Sequence, residues 1–294
     1  MNKSILSRRP ALAAAVILVL AAGTVLATPA APKAPAAAAT VLEYKMPAGR
    51  ALTYQSKSEE SQIMEVMGQS MDTSTTSTST FTFKAKGPKD KNLILGVSID
   101  DIAVSVTGPQ GDMSPDMASV KGKSFDMVLS PLGAEVDVAG AEAISYAIAG
   151  ESRNLSSGFK SFFPDLPGKP VKVGDTWPAT ANIEEKTGSM NIKIDLQYVH
   201  TLEGFETVDG VECARVAAQV TGTISGTGSQ GGMDLTFAGT SKGKDVWYFA
   251  VKEGCYIKAK SEATTEMSID IAAAGMTIPV NQTSKSEVKL TGKQ

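Results

Sequence analysis

A period of two restricts this chain more than any other feature. Met190, Ile192, Ile194, Leu196, Tyr198, His200 and Leu202 fall on one side of a run, with Asn191, Lys193, Asp195, Gln197 and Thr201 on the other. From Cys255 to Ile271 the odd positions are mostly apolar or small, and the even ones carry Lys258, Lys260, Glu262, Glu266 and Asp270. Met276, Ile278, Val280, Gln282, Ser284, Ser286, Val288 and Leu290 repeat the device against Lys285, Glu287 and Lys289. Successive strand residues point to opposite faces, so such runs mean antiparallel sheet with one face solvated. The runs are some 13 to 17 residues long, well above the usual 5–6.

The first half repeats this in a weaker form. Ala51 to Met67 reads as a strand, and Gly68-Gln69-Ser70 as a turn. Met71 to Lys86 returns through a Ser/Thr tract that ends in Phe81-Thr82-Phe83. Thr favours strands through its branched Cβ. Leu93 to Val106 makes a third strand, and Ser124–Leu129 with Ala134–Val138 a hairpin. Gly shortly before Met recurs at hairpin tips (Gly188-Ser189-Met190, Gly232-Met233, Gly275-Met276), a modest internal repeat. Ala141 to Phe163 is the one helical segment expected. Ile144, Ile148, Leu155, Phe159, Phe162 and Phe163 sit near helical spacing, and Gly150 and Gly158 favour two short helices over one long one.

Phe162 to Trp177 follows, with three prolines, two glycines and three aromatics. It reads as the joint between two β halves, since proline blocks helix and ladder alike. Within it, Leu166-Pro167-Gly168-Lys169-Pro170-Val171-Lys172-Val173-Gly174-Asp175-Thr176-Trp177 resembles a segment of uncharacterised exported bacterial β-rich proteins, LP-x-K-x-V-x-x-G-D-x-W. Gly210-Val211-Glu212-Cys213-Ala214 and Glu253-Gly254-Cys255-Tyr256 fit the same pattern. The resemblance implies no known activity. At fold level the layout is also similar to the curved half-barrels of periplasmic lipoprotein carriers, with no site residue to carry over.

The N-terminus reads as an export signal. Lys3, Arg8 and Arg9 precede an apolar run of 16 residues, Ala11 to Leu26, short of the roughly 20 a spanning helix needs. Cleavage after Ala27 is favoured over an uncleaved anchor, which leaves no transmembrane span. Residues 28–40 are an Ala/Pro-rich linker. The resulting division is 1–27 signal peptide, 28–40 linker, 41–163 N-terminal β half ending in the helical segment, 164–177 joint and 178–294 C-terminal β half.

Little here speaks for catalysis. His200 is the only histidine and lies on an apolar strand face. No nucleophile elbow, zinc pair or phosphate loop is present. Asp100-Asp101 and Glu184-Glu185 are strand neighbours that point apart. Met64, Met67 and Met71, or Met113 and Met117, lack the His or Cys support expected of a copper site, so no metal and no cofactor is assigned. A formal charge of −3, low in density and close to balanced, argues against a nucleic-acid partner, which would need a basic face. Cys213 and Cys255, the only cysteines, are disulfide candidates on compartment grounds. Against this, one intervening strand would set them roughly 10 Å apart.

The expected fold is mainly β: a long-stranded curved antiparallel sheet, half-barrel or open barrel, with a short helical segment on its concave face. Ser261, Ala263, Thr265, Gln282, Ser284 and Ser286 make that face small in the middle. Space there must be filled by the chain itself or by a ligand. The expected function is binding of an apolar or amphipathic small molecule by an exported periplasmic or extracellular protein. Phe159, Phe162, Leu196, Tyr198, Ile257, Met267, Ile278 and Val280 are the expected lining. The alternative is a structural or interaction module of the cell envelope, with a protein partner and no ligand.

Overall fold

The computed structural model describes residues 39–148 and 151–294. The expected signal peptide and residues 28–38 of the linker lie outside them. Strands β1 (Ala51–Val66), β2 (Gln69–Lys89) and β3 (Asn92–Gly108) form a long meander. The short strands β4 (Gly111–Asp112), β5 (Ser124–Leu129), β6 (Glu135–Asp137), β7 (Ser145–Ile148) and β8 (Glu151–Asn154) follow, then a single helical turn α1 (Ser156–Phe159). The second half is β9 (Thr176–Thr187), β10 (Met190–Val208), β11 (Val211–Gln230), β12 (Met233–Ala250), β13 (Cys255–Ile271) and β14 (Met276–Lys293).

Eleven strands join in one curled antiparallel sheet, in the order β6-β5-β3-β2-β1-β14-β13-β12-β11-β10-β9, with β4 added on β3. The two halves therefore meet where the first long strand pairs with the last, Gln62 opposite Gln282 and Ser58 opposite Ser286. The Ser/Thr tract is ordered strand, paired on both sides.

The helical expectation for 141–163 gives way to a hairpin and one turn. β7 and β8 pair only with each other, Tyr146 opposite Arg153. α1 buries Ser156 and Phe159. A spacing of four residues suits a strand face as well as a helix face, which is why Ile144 and Ile148 read as helical.

Two apolar clusters fill the ends of the concave side. One combines Leu42, Tyr44, Leu52, Tyr54, Phe83 and Leu95 with Phe159, Phe163, Trp177, Trp247 and Phe249, drawing on both halves of the chain. The extended segment 41–46 enters it with Leu42, Tyr44 and Met46 buried and Val41, Glu43 and Lys45 exposed. The other cluster holds Met64 of β1 and Ile183 of β9 together with Ile194, Ile224, Phe237, Met267 and Val280. β1 and β9 lie six strand steps apart in the sheet, so shared packing means that the sheet rolls up at this end. Hydrogen bonds pin the segment 164–177. Lys172 N–H donates to the Asp175 carboxylate, Gly174 N–H to the Leu202 carbonyl, and buried Trp177 Nε1–H to the Asp165 carbonyl at 3.0 Å.

Candidate functional site

Reading the ladders across the sheet gives the inner face rung by rung. One rung is apolar: Met64, Val280, Met267, Gly239, Ile224, Ile194 and Ile183. The next carries Thr73, Gln62, Gln282, Thr265 and Ser241. Then come Thr75, Glu60, Ser284, Ala263 and Gly243. A further rung has Ser77, Ser58, Ser286, Ser261, Asp245, Ala218 and His200. Ser79, Ser56, Val288, Ala259 and Trp247 begin the return to the aromatic cluster. A belt of small and polar side chains thus crosses the concave face between two apolar ends.

Burial along these rungs is uneven. The apolar ends are almost fully buried. Ser56, Ser58, Ser77, Ser79, Ser261, Ser286, Ala259, Val288 and Asp245 are only half-buried, although they face inward. Inner-face residues that keep exposure in mid-sheet line a hollow. On the opposite side, half-buried Phe162, Tyr146 and Leu155 pack against the aromatic cluster. The β7–β8 hairpin bridges the gap in the curl. Ile148 packs on Val106 of β3 with Val104 and Tyr146 beside them, and β8 touches β9.

The belt carries polar atoms buried without hydrogen-bond partners among the described residues: Glu60 Oε2, both amide atoms of Gln62, both ring nitrogens of His200, Asp245 Oδ1 and Trp247 Nε1. Such groups cost free energy unless a water or ligand meets them. Burial pushes the Glu60 carboxyl up to about 8, opposed by the Arg153 charge and reinforced by Glu185. It raises Asp245 to about 7, with Ser261 donating a hydrogen bond to it. Burial likewise raises Glu135 to about 8 and Asp165 to about 6. His200 is held down to about 4 by burial. Its ring stacks on Trp177 at 5.3 Å and Tyr198 at 5.7 Å, with Trp247 edge-on.

The residues expected to line a ligand do not form one wall. Phe159 and Ile257 are core of the aromatic end, with Phe162 packed on it. Leu196, Met267, Ile278 and Val280 fill the rolled end, with Tyr198 packed on it. Of the eight, Phe162 and Tyr198 keep partial exposure. Glu60, Asp245 and Trp247 were not among the expected residues. A carboxylate in a strand reads as outward by default, and Glu60 is found inward only by counting in twos from Leu52.

Cys213 and Cys255 are both buried and free, which corrects the disulfide expectation. Each lies opposite Ala250, on either side of β12. Two strand spacings, about 10 Å, separate them, beyond the roughly 7 Å a bridge spans. A register shift at Ile257 also brings Tyr256 into the core beside it, where it stacks on Tyr54. Among the described residues no group of three or more His, Cys, Asp or Glu could hold a metal ion.

No family model and no curated protein matches the chain. Solved structures similar to it include a protein with a YmcC-like fold from Bacteroides fragilis, 9% identical, covering 86% of this chain and 99% of that one, TM-score 0.27. An outer membrane channel from Pseudomonas putida is 8% identical, covering 84% and 97%, TM-score 0.27. A DUF1329 family protein from Desulfovibrio piger is 12% identical, covering 82% and 85%, TM-score 0.16.

Proposed function

We propose that this is an exported, non-catalytic binding protein that holds an amphipathic small molecule in the mid-sheet hollow. The observation that carries the reading is the half-exposure of inward-facing Ser56, Ser58, Ser261 and Ser286 between two closed apolar ends. Serines and the buried polar belt offer hydrogen bonds to a polar group. Phe162, Val104, Ile102 and Val288 offer an apolar side. Concave sites of mixed lining with a few convergent polar groups are the usual form of small-molecule sites.

The convex face favours this over a membrane wall. Lys57, Glu59, Glu65, Lys260, Glu266, Lys285 and Lys289 are exposed on it, and Lys258 and Lys260 pair with Glu287 there at 3.3 and 3.7 Å. A barrel in lipid needs an apolar outer band instead. No helix among the described residues is long and apolar enough to cross a membrane.

The test is native mass spectrometry of the purified protein, with solvent extraction of the same sample. An amphiphile bound at up to one per chain is the expected result. A bare mass, an empty extract and no uptake of added amphiphile would sink the reading.

A further inference from the structure

Six serines make the floor of the hollow. On one rung Ser77, Ser58, Ser286 and Ser261 stand side by side on β2, β1, β14 and β13, with Val104 at one end and Asp245 at the other. On the next rung Ser79 and Ser56 stand between Ile102 and Val288. Three strand spacings and a two-residue step make this patch about 14 Å by 7 Å. All six serines face inward and keep partial exposure, so the space above them is open. Ser58 and Ser77 share a hydrogen bond of 2.7 Å. Among the described residues Ser56, Ser79 and Ser286 make no side-chain hydrogen bond.

A second observation at the edge of the floor also calls for a ligand or water. Glu60 lies two residues from Ser58 on the same face of β1, opposite Ser284. It is 6% exposed, and its Oε2 has no hydrogen-bond partner among the described residues. Gln62, two residues further, is 1% exposed with neither amide atom partnered. Polar atoms buried so completely need a partner, and one that both donates and accepts meets all of them.

The floor offers no counter-ion to an anion. Lys57, Lys260 and Lys285, on the same strands, are exposed on the convex side. Arg153 of β8 acts on Glu60, and Glu185 acts on the same carboxyl, so two acids offset the one base. A phosphate or sulfate head would have its charge buried without compensation. The acids at the edges of the floor, Glu60 and Asp245, donate and accept as hydroxyls do when protonated. Burial raises them to about 8 and about 7, so at pH 6 neither draws a cation.

We infer that the serine floor takes the uncharged, hydroxyl-bearing head of an amphiphile, a sugar or another polyol. This rests on the binding reading above and names the polar end of that ligand. Each serine hydroxyl both donates and accepts, which suits hydroxyls presented at several positions at once. The patch is long enough for a sugar ring rather than a single hydroxyl. The apolar tail lies over Val288, Ala259 and half-buried Phe162.

The experiment is calorimetric titration of the whole protein at pH 6 with octyl glucoside, octyl sulfate and octylammonium, all below micelle formation, and with glucose. Octyl glucoside is expected to bind at least tenfold tighter than the other three. Ser56→Ala combined with Ser286→Ala deletes two hydroxyls that hold no internal bond. The pair should weaken octyl glucoside at least fivefold and leave uptake of the apolar probe N-phenyl-1-naphthylamine as in wild type. Ser105→Ala, on the exposed convex side of β3, should change nothing. Should near-UV circular dichroism show the double variant unfolded, the wild-type ranking still decides. Equal or tighter binding of the sulfate or the ammonium, or a folded double variant that is not weakened, would overturn the hydroxyl-bearing head and leave the hollow standing. Glucose binding as tightly as octyl glucoside would support the head and overturn the amphiphile. Binding of none of the four would overturn both.

Discussion

Glu60 shows what inward placement of a single carboxyl does. Its folded value of about 8 stands above its ordinary 4.5, so the proton stabilises the fold. That stability is fully present below about 4.5 and is lost as pH rises through 8. Asp245, Glu135 and Asp165, raised to about 7, 8 and 6, act in the same direction. His200, lowered to about 4, acts oppositely, its contribution being lost as pH falls from 6.5 through 4. Urea midpoints should therefore decline between pH 5 and pH 9. Glu60→Gln should match wild type near pH 5 and exceed it at pH 9, whereas parallel profiles would refute the inward carboxyl. Gly133 is a second decisive residue. Its φ is +100°, and a Cβ there would stand 2.4 Å from the Pro164 carbonyl oxygen. Gly133→Ala is expected to cost about 2 kcal/mol or more, seen as a lowered Tm. The thiols give a third check. Both cysteines should be silent to a thiol reagent in the native protein and titrate as two equivalents in denaturant. No titre under those conditions would mean that they are bonded.

Among the elements, the β7–β8 hairpin carries the clearest expectation. It pairs with no other strand and is docked through Ile148 on Val106. Ile148→Asp should release it, so that proteolysis within 145–154 accelerates while the sheet's cooperative unfolding persists. Unchanged proteolysis would show that the hairpin is held by other means. This was also the stretch least legible in the sequence. The long strands declared themselves because one face meets water and the other a core, which writes polarity in twos. The cover touches protein on several sides and carries no such pattern, so spacings shared by strand and helix decided nothing. The small-residue middle of the inner face could be read from Ser261, Ala263 and Ser284 alone. Its charged members could not, because only the rolled sheet lets Asp245, Glu135 of β6 and Asp165 of the 164–177 segment act on Tyr198. The cysteine geometry was visible as two strands flanking a third, and it outweighs the compartment argument for a bridge.

The molecule as a whole is a rolled sheet with two packed ends, a charged convex face and a hollow waist. Among the described residues Ser286 makes no side-chain hydrogen bond, and it faces that waist opposite Ser58. A leucine there should gain up to about 2 kcal/mol of burial if space exists, or cost about 1–3 kcal/mol if the site is already packed. The most direct measurement is therefore a paired one on Ser286→Leu and wild type: the urea unfolding midpoint, with fluorescence titration by the uncharged apolar probe N-phenyl-1-naphthylamine. An unfilled binding hollow requires saturable probe uptake by wild type, its loss in Ser286→Leu, and a midpoint equal to or above wild type. No uptake by wild type together with a destabilised variant would contradict it.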